Sequence, residues 1–268
     1  MLIAQLTDTH VVGPNTDEEL YVDNNGRVVE AIDSINRESP AVSVVLATGD
    51  LTQWGAPEEF VELSRFTAKL RPPILPLVGN HDNRDGIRGC FPSVPWVDAE
   101  HASWVAEIEH VRVIGLDSTR PGESGAEFDH DREMWLRSIL DQRHDGPTVL
   151  TMHHPPFVTG IGWMDRAGFI GLERFVAVLS ETKVVDRIQC GHLHRPMSSV
   201  VGGVLAEVGL ATTVHVALDV GPDGPVQVIR DPVGYRLLRI TGRSIVGHTR
   251  YIGIGEEPFS PHWSLKES

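Results

Sequence analysis

Short apolar runs rich in β-branched residues alternate with stretches of helical periodicity through the first two-thirds of the chain. Positions 3–7, 42–48, 74–78, 111–116, 148–152 and 185–190 read as strands, each stopping at or beside a Gly, Asp, Asn or His. Val28, Val29, Ile32 and Ile35 recur at helical spacing. A second helix opens at Pro57 with Glu58 and Glu59 beside it and carries Phe60, Leu63, Phe66 and Leu70 on one stripe. Proline and acids suit a helix start, where N–H groups lack partners and the dipole favours negative charge. Helices are also predicted over 129–140 and around 172–179. Beyond Gly191 the helical period disappears, and turn signals at Gly202-Gly203, Pro222-Asp223-Gly224-Pro225 and Thr241-Gly242 separate short β runs. Alternating α and β followed by consecutive strands predicts an α/β fold of two packed sheets with helices outside. Two stretches, 86–100 and 157–171, show no clear pattern. The second contains Gly160, Gly162, Trp163 and Met164 and reads equally as a lid or substrate wall and as an ordinary surface loop.

A chain of 268 residues, 41% of them hydrophobic, can bury one large core, and no low-complexity tract divides it, so residues 1–268 are read as a single domain. The apolar stretch 2–6 is too short for a signal sequence, and nothing approaches the length of a membrane span. Cys90 and Cys190 suit two free thiols in a reducing cytoplasm rather than a disulfide. Cys190 precedes Gly191-His192 and is an alternative zinc ligand, but a superfluous one where imidazoles and carboxylates abound. A net charge of −14 argues against a nucleic-acid polymer as partner, because backbone binding needs clustered Lys and Arg. A small phosphate ester remains compatible, since bound dications reverse the local field.

The chemistry concentrates in five segments at strand ends: Asp8-Thr9-His10, Gly49-Asp50, Gly79-Asn80-His81-Asp82, His153-His154-Pro155-Pro156 and Gly191-His192-Leu193-His194. Any one histidine among them, alone, is more commonly a hydrogen-bonded structural residue. Five such segments together supply the oxygen and imidazole donors of a dinuclear hydrolytic metal site. The candidate ligands are Asp8, His10, Asp50, Asn80, His153, His192 and His194. Two cations held about 3.5–4 Å apart need a negatively charged bridge. Asp50 suits that role, following a buried strand and a glycine. The nucleophile is then a metal-bound hydroxide rather than a side chain. His81, beside Asn80, is the candidate catalytic group, binding a phosphoryl oxygen or protonating the leaving alkoxide, with Asp82 placed to orient its ring. His154 is expected to face away from the site. Asp117 reads as a cap or turn former, and His101, His110, His130, His144, His248 and His262 as ordinary histidines. Trp54, Trp96 and Trp163 are read as core or loop packing before base-stacking platforms.

In order and spacing these segments resemble the calcineurin-like metallophosphoesterase superfamily, whose signature reads D-x-H, G-D, G-N-H-D or E, H and G-H-x-H; the match runs from Asp8 to His194. Within it the chain is most similar to class III cyclic-nucleotide phosphodiesterases and their glycerophosphodiesterase relatives. The likeness includes Gly55-x-Pro57-Glu58-Glu59-Phe60 and Met152-His153-His154-Pro155-Pro156. The resemblance implies a four-layer α/β/β/α sandwich. It implies one metal on Asp8, His10, Asp50 and His194 and a second on Asp50, Asn80, His153 and His192. The metals would be iron, manganese, zinc or cobalt. Asn80, His81 and, from Thr213-Val214-His215, His215 would bind substrate. Family members are often dimers or larger, and the β-rich segment from about 200 is where such contacts are expected.

These readings lead to a metal-dependent phosphodiesterase of small phosphodiesters, with a 3′,5′-cyclic nucleotide such as cAMP as leading substrate. A glycerophosphodiesterase or phosphonate monoesterase on the same scaffold is the alternative. A non-catalytic scaffold is the remote one, since such proteins are expected to lose ligands and here all seven are present.

Overall fold

Three strands from the N-terminal half lie side by side and parallel, so their C-terminal ends share one rim: β1 (Leu2–Leu6), β2 (Val44–Ala47) and β3 (Ile74–Pro76). The structure, a computed structural model, describes residues 1–14, 16, 22–97 and 100–253. His262, and positions 98 and 99 of the unpatterned 86–100 stretch, lie outside them. A second sheet contains β4 (Trp104–Ile108), β5 (Val111–Leu116), β7 (Thr148–Met152), β9 (Arg187–Cys190), β10 (Met197–Val201) and β11 (Val204–Val208), in the order β10-β11-β9-β7-β5-β4. The first sheet is completed from the far end of the chain by β14 (Gly234–Thr241), which pairs antiparallel with β1, and by β15 (Ser244–Tyr251) outside it. Two small pairs sit apart: β6 (Ala126–Glu127) with β8 (Phe169–Ile170), and β12 (His215–Val216) with β13 (Val228–Ile229).

Side chains alternate across each strand, so each sheet has two buried faces. Ile3, Val44, Leu46 and Leu238 from the first sheet share one core with Trp104, Val111, Val113 and Val149 from the second. The outer face of the first sheet packs Leu2, Ala4, Leu6 and Val45 on Ala31 and Ile35 of α1 (Asn24–Asn36). The outer face of the second packs Ile114, Leu150 and Ile188 on Leu136 of α4 (His130–Leu140) and Phe175 and Val178 of α6 (Leu172–Thr182). These are the four layers. Polar groups also tie the sheets: Gln5 Nε2 donates to the Cys190 carbonyl at 2.7 Å and Trp104 Nε1 to the Pro76 carbonyl at 2.6 Å.

Local chemistry accounts for most element boundaries. α2 (Pro57–Thr67) starts at the proline, with the Glu59 carboxylate accepting from the Trp54 and Ala56 N–H groups. Asp129 caps α4 by accepting from Arg132 N. β2 and β3 are shorter than their apolar runs: β2 starts two residues later and stops one residue earlier than 42–48, and β3 stops two residues before the end of 74–78. The unpatterned stretch 86–100 begins inside α3 (Arg84–Cys90), seven residues in which Gly86 and Gly89 blur the period. β4 carries no strand signal in the sequence, since Trp104 is its one buried residue and the edge strand shows no buried alternation. The 157–171 stretch is a built element, containing α5 (Gly162–Asp165) and β8.

Asp117, at the end of β5, is more than a turn former. Its carboxylate accepts from Arg84 Nε at 2.6 Å, Ala102 N at 3.0 Å, and Thr119 N and Oγ1 at 2.9 and 2.6 Å. Burial pushes its pKa up, but Arg84 and these donors outweigh burial and hold it below the usual carboxylate range. A depressed folded pKa contributes stability that is fully present above the unfolded value, about 3.9, and lost as pH falls through the folded one. Asp117→Asn is therefore expected to lower the urea midpoint at pH 7, with the gap to the native chain narrowing below about pH 4. A gap constant from pH 7 to pH 3 would contradict this account.

Candidate metal centre

Five of the seven candidate ligands sit at backbone positions that a side chain rarely adopts. Among the described residues, eight non-glycine residues have positive φ; Asp8 (50°), His10 (42°), Asp50 (49°), His192 (73°) and His194 (56°) are five of them. Left-handed backbone at Asp and His costs free energy of order 1–3 kcal/mol each and persists where surrounding structure over-determines it. Here the loops are locked together: Asp8 N donates to Gly49 O, His10 N to Asp50 O and Gly191 N to His153 O. Two glycines make the approach possible. A Cβ at Gly79 would lie 2.1 Å from Asp50 N and Oδ1, and one at Gly191 2.2 Å from Thr7 Oγ1. The motif glycines are steric requirements of the convergence.

The result is a cluster drawn from both sheets. One potential ligand atom each of Asp8, His10, Asp50 and His194 lie within 4.8 Å of one another. His10 Nε2 and His194 Nε2 are 3.0 Å apart, and His194 Nε2 lies 3.6 Å from Asp8 Oδ1. Asp50 Oδ2 stands between two imidazoles, 3.7 Å from His10 Nε2 and 3.3 Å from His153 Nε2, while its Oδ1 accepts from His81 N. His153 Nε2 also faces Asn80 Oδ1 at 3.2 Å. His192 N donates to the Asp8 carboxylate at 2.9 and 3.2 Å, and the His192 ring packs 5.1 Å from that of His153.

Backbone carbonyls choose the imidazole nitrogens. His153 Nδ1 donates to Thr48 O at 2.8 Å and His194 Nδ1 to Val214 O at 2.7 Å, since a carbonyl can only accept. Each Nε2 is thereby turned into the cluster, the arrangement in which outer partners orient metal-binding histidines. Without a proton or a cation between them, the lone pairs of His10 Nε2 and His194 Nε2, and those of His153 Nε2 and Asn80 Oδ1, would face each other. Burial keeps the rings of His10 and His192 neutral, the first well below its usual value and the second pushed down to about 3, so their lone pairs are free. His153 differs: burial pushes its pKa down, but the Asp50 and Asp8 carboxylates outweigh burial and lift it to about 9. Burial raises Asp8, whereas His153 pulls Asp50 well below the carboxylate range despite burial. Buried carboxylates pairing with a proton on imidazole are groups whose charge a dication would satisfy. The donor set therefore fits two cations, with Asp50 able to reach both.

His81 lies at the edge of the cluster, its ring 4.7 Å from that of His10. Its Nδ1 donates to Gln53 O at 2.7 Å. Asp82 does not orient the ring. Its carboxylate accepts instead from Leu51 N, Thr52 N, Thr52 Oγ1 and Gly79 N, pinning the Gly49-Asp50 loop to the Gly79-Asn80 loop. His154 does not face away either. Its ring packs 4.7 Å from His192, and it groups with His153 and His192 by the proximity of their nitrogens. Its Nδ1 is 2.9 Å from Ser118 Oγ. His215 is buried with Nδ1 4.0 Å from Asp231 and does not line the cavity over the cluster, although Val214 and Val216 on either side of it do. The carbonyls of Thr48, Gln53 and Val214 left no trace in the sequence, because any residue carries one.

A model of the calcineurin-like phosphoesterase family matches residues 1–196. A probable glycerophosphodiester phosphodiesterase of Arcobacter nitrofigilis is 30% identical over 262 residues, 97% of this chain and 96% of that protein. A probable cyclic nucleotide phosphodiesterase of Rhodopseudomonas palustris is 30% identical over 252 residues, 92% and 91% of the two chains. Among solved structures, a dimetal phosphatase from Danio rerio superposes with a TM-score of 0.70 at 12% identity, covering 94% of this chain and 96% of that one, a likeness of fold.

Proposed function

The chain belongs to the calcineurin-like phosphoesterase family, and from that premise we propose a dinuclear metal-dependent phosphodiesterase of small phosphodiesters, with 3′,5′-cyclic nucleotides such as cAMP as the leading substrates. The observation that carries the reading is the position of Asp50 Oδ2 between His10 Nε2 and His153 Nε2, in a cluster whose other donors are Asp8, Asn80, His192 and His194. Two bound divalent cations supply Lewis acidity and lower the pKa of water from about 15.7 to about 7. Iron, manganese, zinc and cobalt all suit this donor set.

The chain's own groups do the rest. Asn80 holds its amide oxygen toward His153 and the cluster, and His81, with Nδ1 committed to Gln53 O, keeps Nε2 for the substrate. As an imidazolium, with both nitrogens protonated, it hydrogen-bonds a phosphoryl oxygen or delivers the Nε2 proton to the leaving alkoxide. His215 is assigned a supporting part in substrate binding through the adjoining cavity wall. A net charge of −14 supports a small substrate over a nucleic-acid polymer.

We read residues 1–268 as one domain, because the C-terminal strands β14 and β15 extend the sheet that β1 begins. We also assign a homo-oligomer, a dimer or larger, built through the segment after 200. Leu218, Val220, Val226, Val228 and Ile229 are exposed there. Among the described residues no helix is long and apolar enough to cross a membrane. Cys90 and Cys190, both free, suit the cytoplasm.

The test is a rate comparison across cAMP, glycerophosphocholine and a phosphomonoester, with metal content and sedimentation measured on the same sample. Diester cleavage with about two metals per chain is the expected result. Asn80→Ala is expected to slow diester hydrolysis about tenfold to a hundredfold. Equal rates in the variant, or a preference for the monoester, would argue against the reading. Glycerophosphodiesters are the second reading, favoured by the name of the Arcobacter nitrofigilis relative.

A further inference from the structure

The cavity above the cluster, about 640 Å³, joins the carboxylate and imidazole groups of the cluster to an apolar wall of Val22, Trp163, Met164, Val216 and Val228, with a few uncharged polar groups, Gln53 and Ser124 among them. No lysine, arginine or glutamate is among the described residues that line it. A substrate anchored by its phosphodiester at the cluster therefore meets an uncharged, largely apolar surface with its organic part. A cavity of this size is ordinary for a small-molecule site.

Trp163 is the broadest element of that wall. Its indole lines the cavity, and its Nε1 is buried with no hydrogen-bond partner in the protein, so no hydrogen bond to the chain fixes the ring. The wall is held in place. The Asp165 carboxylate accepts from Thr159 N at 2.9 Å, Thr159 Oγ1 at 2.8 Å and Gly160 N at 2.9 Å, closing the turn on which α5 stands. Ile161, just before Trp163, is fully buried in the core of the second sheet. Gly162 abuts the opposite segment so closely that a Cβ there would lie 2.2 Å from the Pro222 carbonyl. The Trp163 turn and the 214–229 segment thus brace each other as the two sides of a slot.

We propose that Trp163 is a specificity-determining residue, stacking on a flat uncharged aromatic ring in the substrate, the base of a cyclic mononucleotide, and so selecting such diesters over glycerol-based ones. This rests on the phosphodiesterase reading above. A base presents a π-face that an indole ring matches, and stacking of this kind is worth a large factor per base. The hydroxyls of a glycerol group gain nothing from the face of an indole, so the stack favours the base over glycerol.

The experiment compares metal-loaded native protein, Trp163→Ala and Trp163→Phe on cAMP and on glycerophosphoethanolamine. Calorimetric binding of 5′-AMP to each is the second readout. Trp163→Ala is expected to lower the ratio of kcat/KM for cAMP to that for glycerophosphoethanolamine by about tenfold to a hundredfold, expressed mainly in KM, and to weaken 5′-AMP by a similar factor. Trp163→Phe is expected to recover most of both. An unchanged ratio, or a fall driven by kcat that Phe does not restore, would overturn the assignment. If the native protein cleaves no diester, the proposed function fails, and 5′-AMP binding still decides on the wall: equal affinity in native protein and Trp163→Ala would refute it.

Discussion

Asp50→Asn is expected to abolish measurable phosphodiester hydrolysis, a loss of about a thousandfold or more, and to reduce bound metal from about two per chain to one or none. The substitution keeps the size of the side chain and changes only its charge and donor character. Asp50 Oδ2 is the atom within 3.7 Å of His10 Nε2 and 3.3 Å of His153 Nε2, so one carboxylate serves both halves of the cluster. A neutral amide cannot hold two cations against their mutual repulsion, and an amide N–H pointed at an imidazole Nε2 consumes a lone pair meant for metal. A thousandfold corresponds to about 4 kcal/mol of barrier. Metal content by mass spectrometry, read beside the rate, separates this from a folding defect. Retention of two metals with a rate within tenfold of the native one would remove Asp50 from the bridging role.

The largest effect on stability is expected at Trp104. Its side chain is fully buried between the sheets, opposite Gly115 on β5, and its Nε1 donates to Pro76 O at 2.6 Å. Trp104→Ala removes the indole from the shared core and leaves that carbonyl without its donor. Large-to-small changes of this kind cost about 3–5 kcal/mol, because the cavity closes only in part. A drop of about 1–2 M in urea midpoint is the expected reading at slopes typical of small domains. Trp104→Phe retains a ring and is expected to lose less than half as much. Packing of this kind holds the two sheets against each other, so the variant should also bind metal less tightly. A midpoint within 0.3 M of the native value, on the order of experimental error, would show that the intersheet core does not depend on this residue.

Legibility in the sequence followed how local the cause was. β5 and β7 coincide with their apolar runs, and α4 begins one residue past its cap at Asp129. Those elements are set by side-chain pattern, helix dipole and capping, all of which act within a few residues. The edge strand β4 and the short helix α3 escaped notice, since one has a single buried position and the other two glycines in seven residues. Adjacency in sequence pairs Asp82 with His81. In the fold it serves residues thirty positions away, Leu51 and Thr52, and Gln53 takes the histidine instead. Alternation along a strand would turn His154 away from the site that His153 enters. Beyond the end of β7 the chain is no longer a strand, and that alternation does not apply.

The sequence by itself determined which residue types stand at the strand ends, the alternation that builds two sheets, and the family. Donor chemistry and periodicity are properties of the residues in order. The tertiary structure alone decided which ring nitrogen of His81, His153 and His194 is left for the site, through the carbonyls of Gln53, Thr48 and Val214. It alone brought a tryptophan from an unpatterned stretch to the wall of the same cavity. Both depend on backbone groups and distances between segments far apart in the chain. Neither leaves a mark on residue identity, because a carbonyl is common to every residue and proximity is a property of the folded chain.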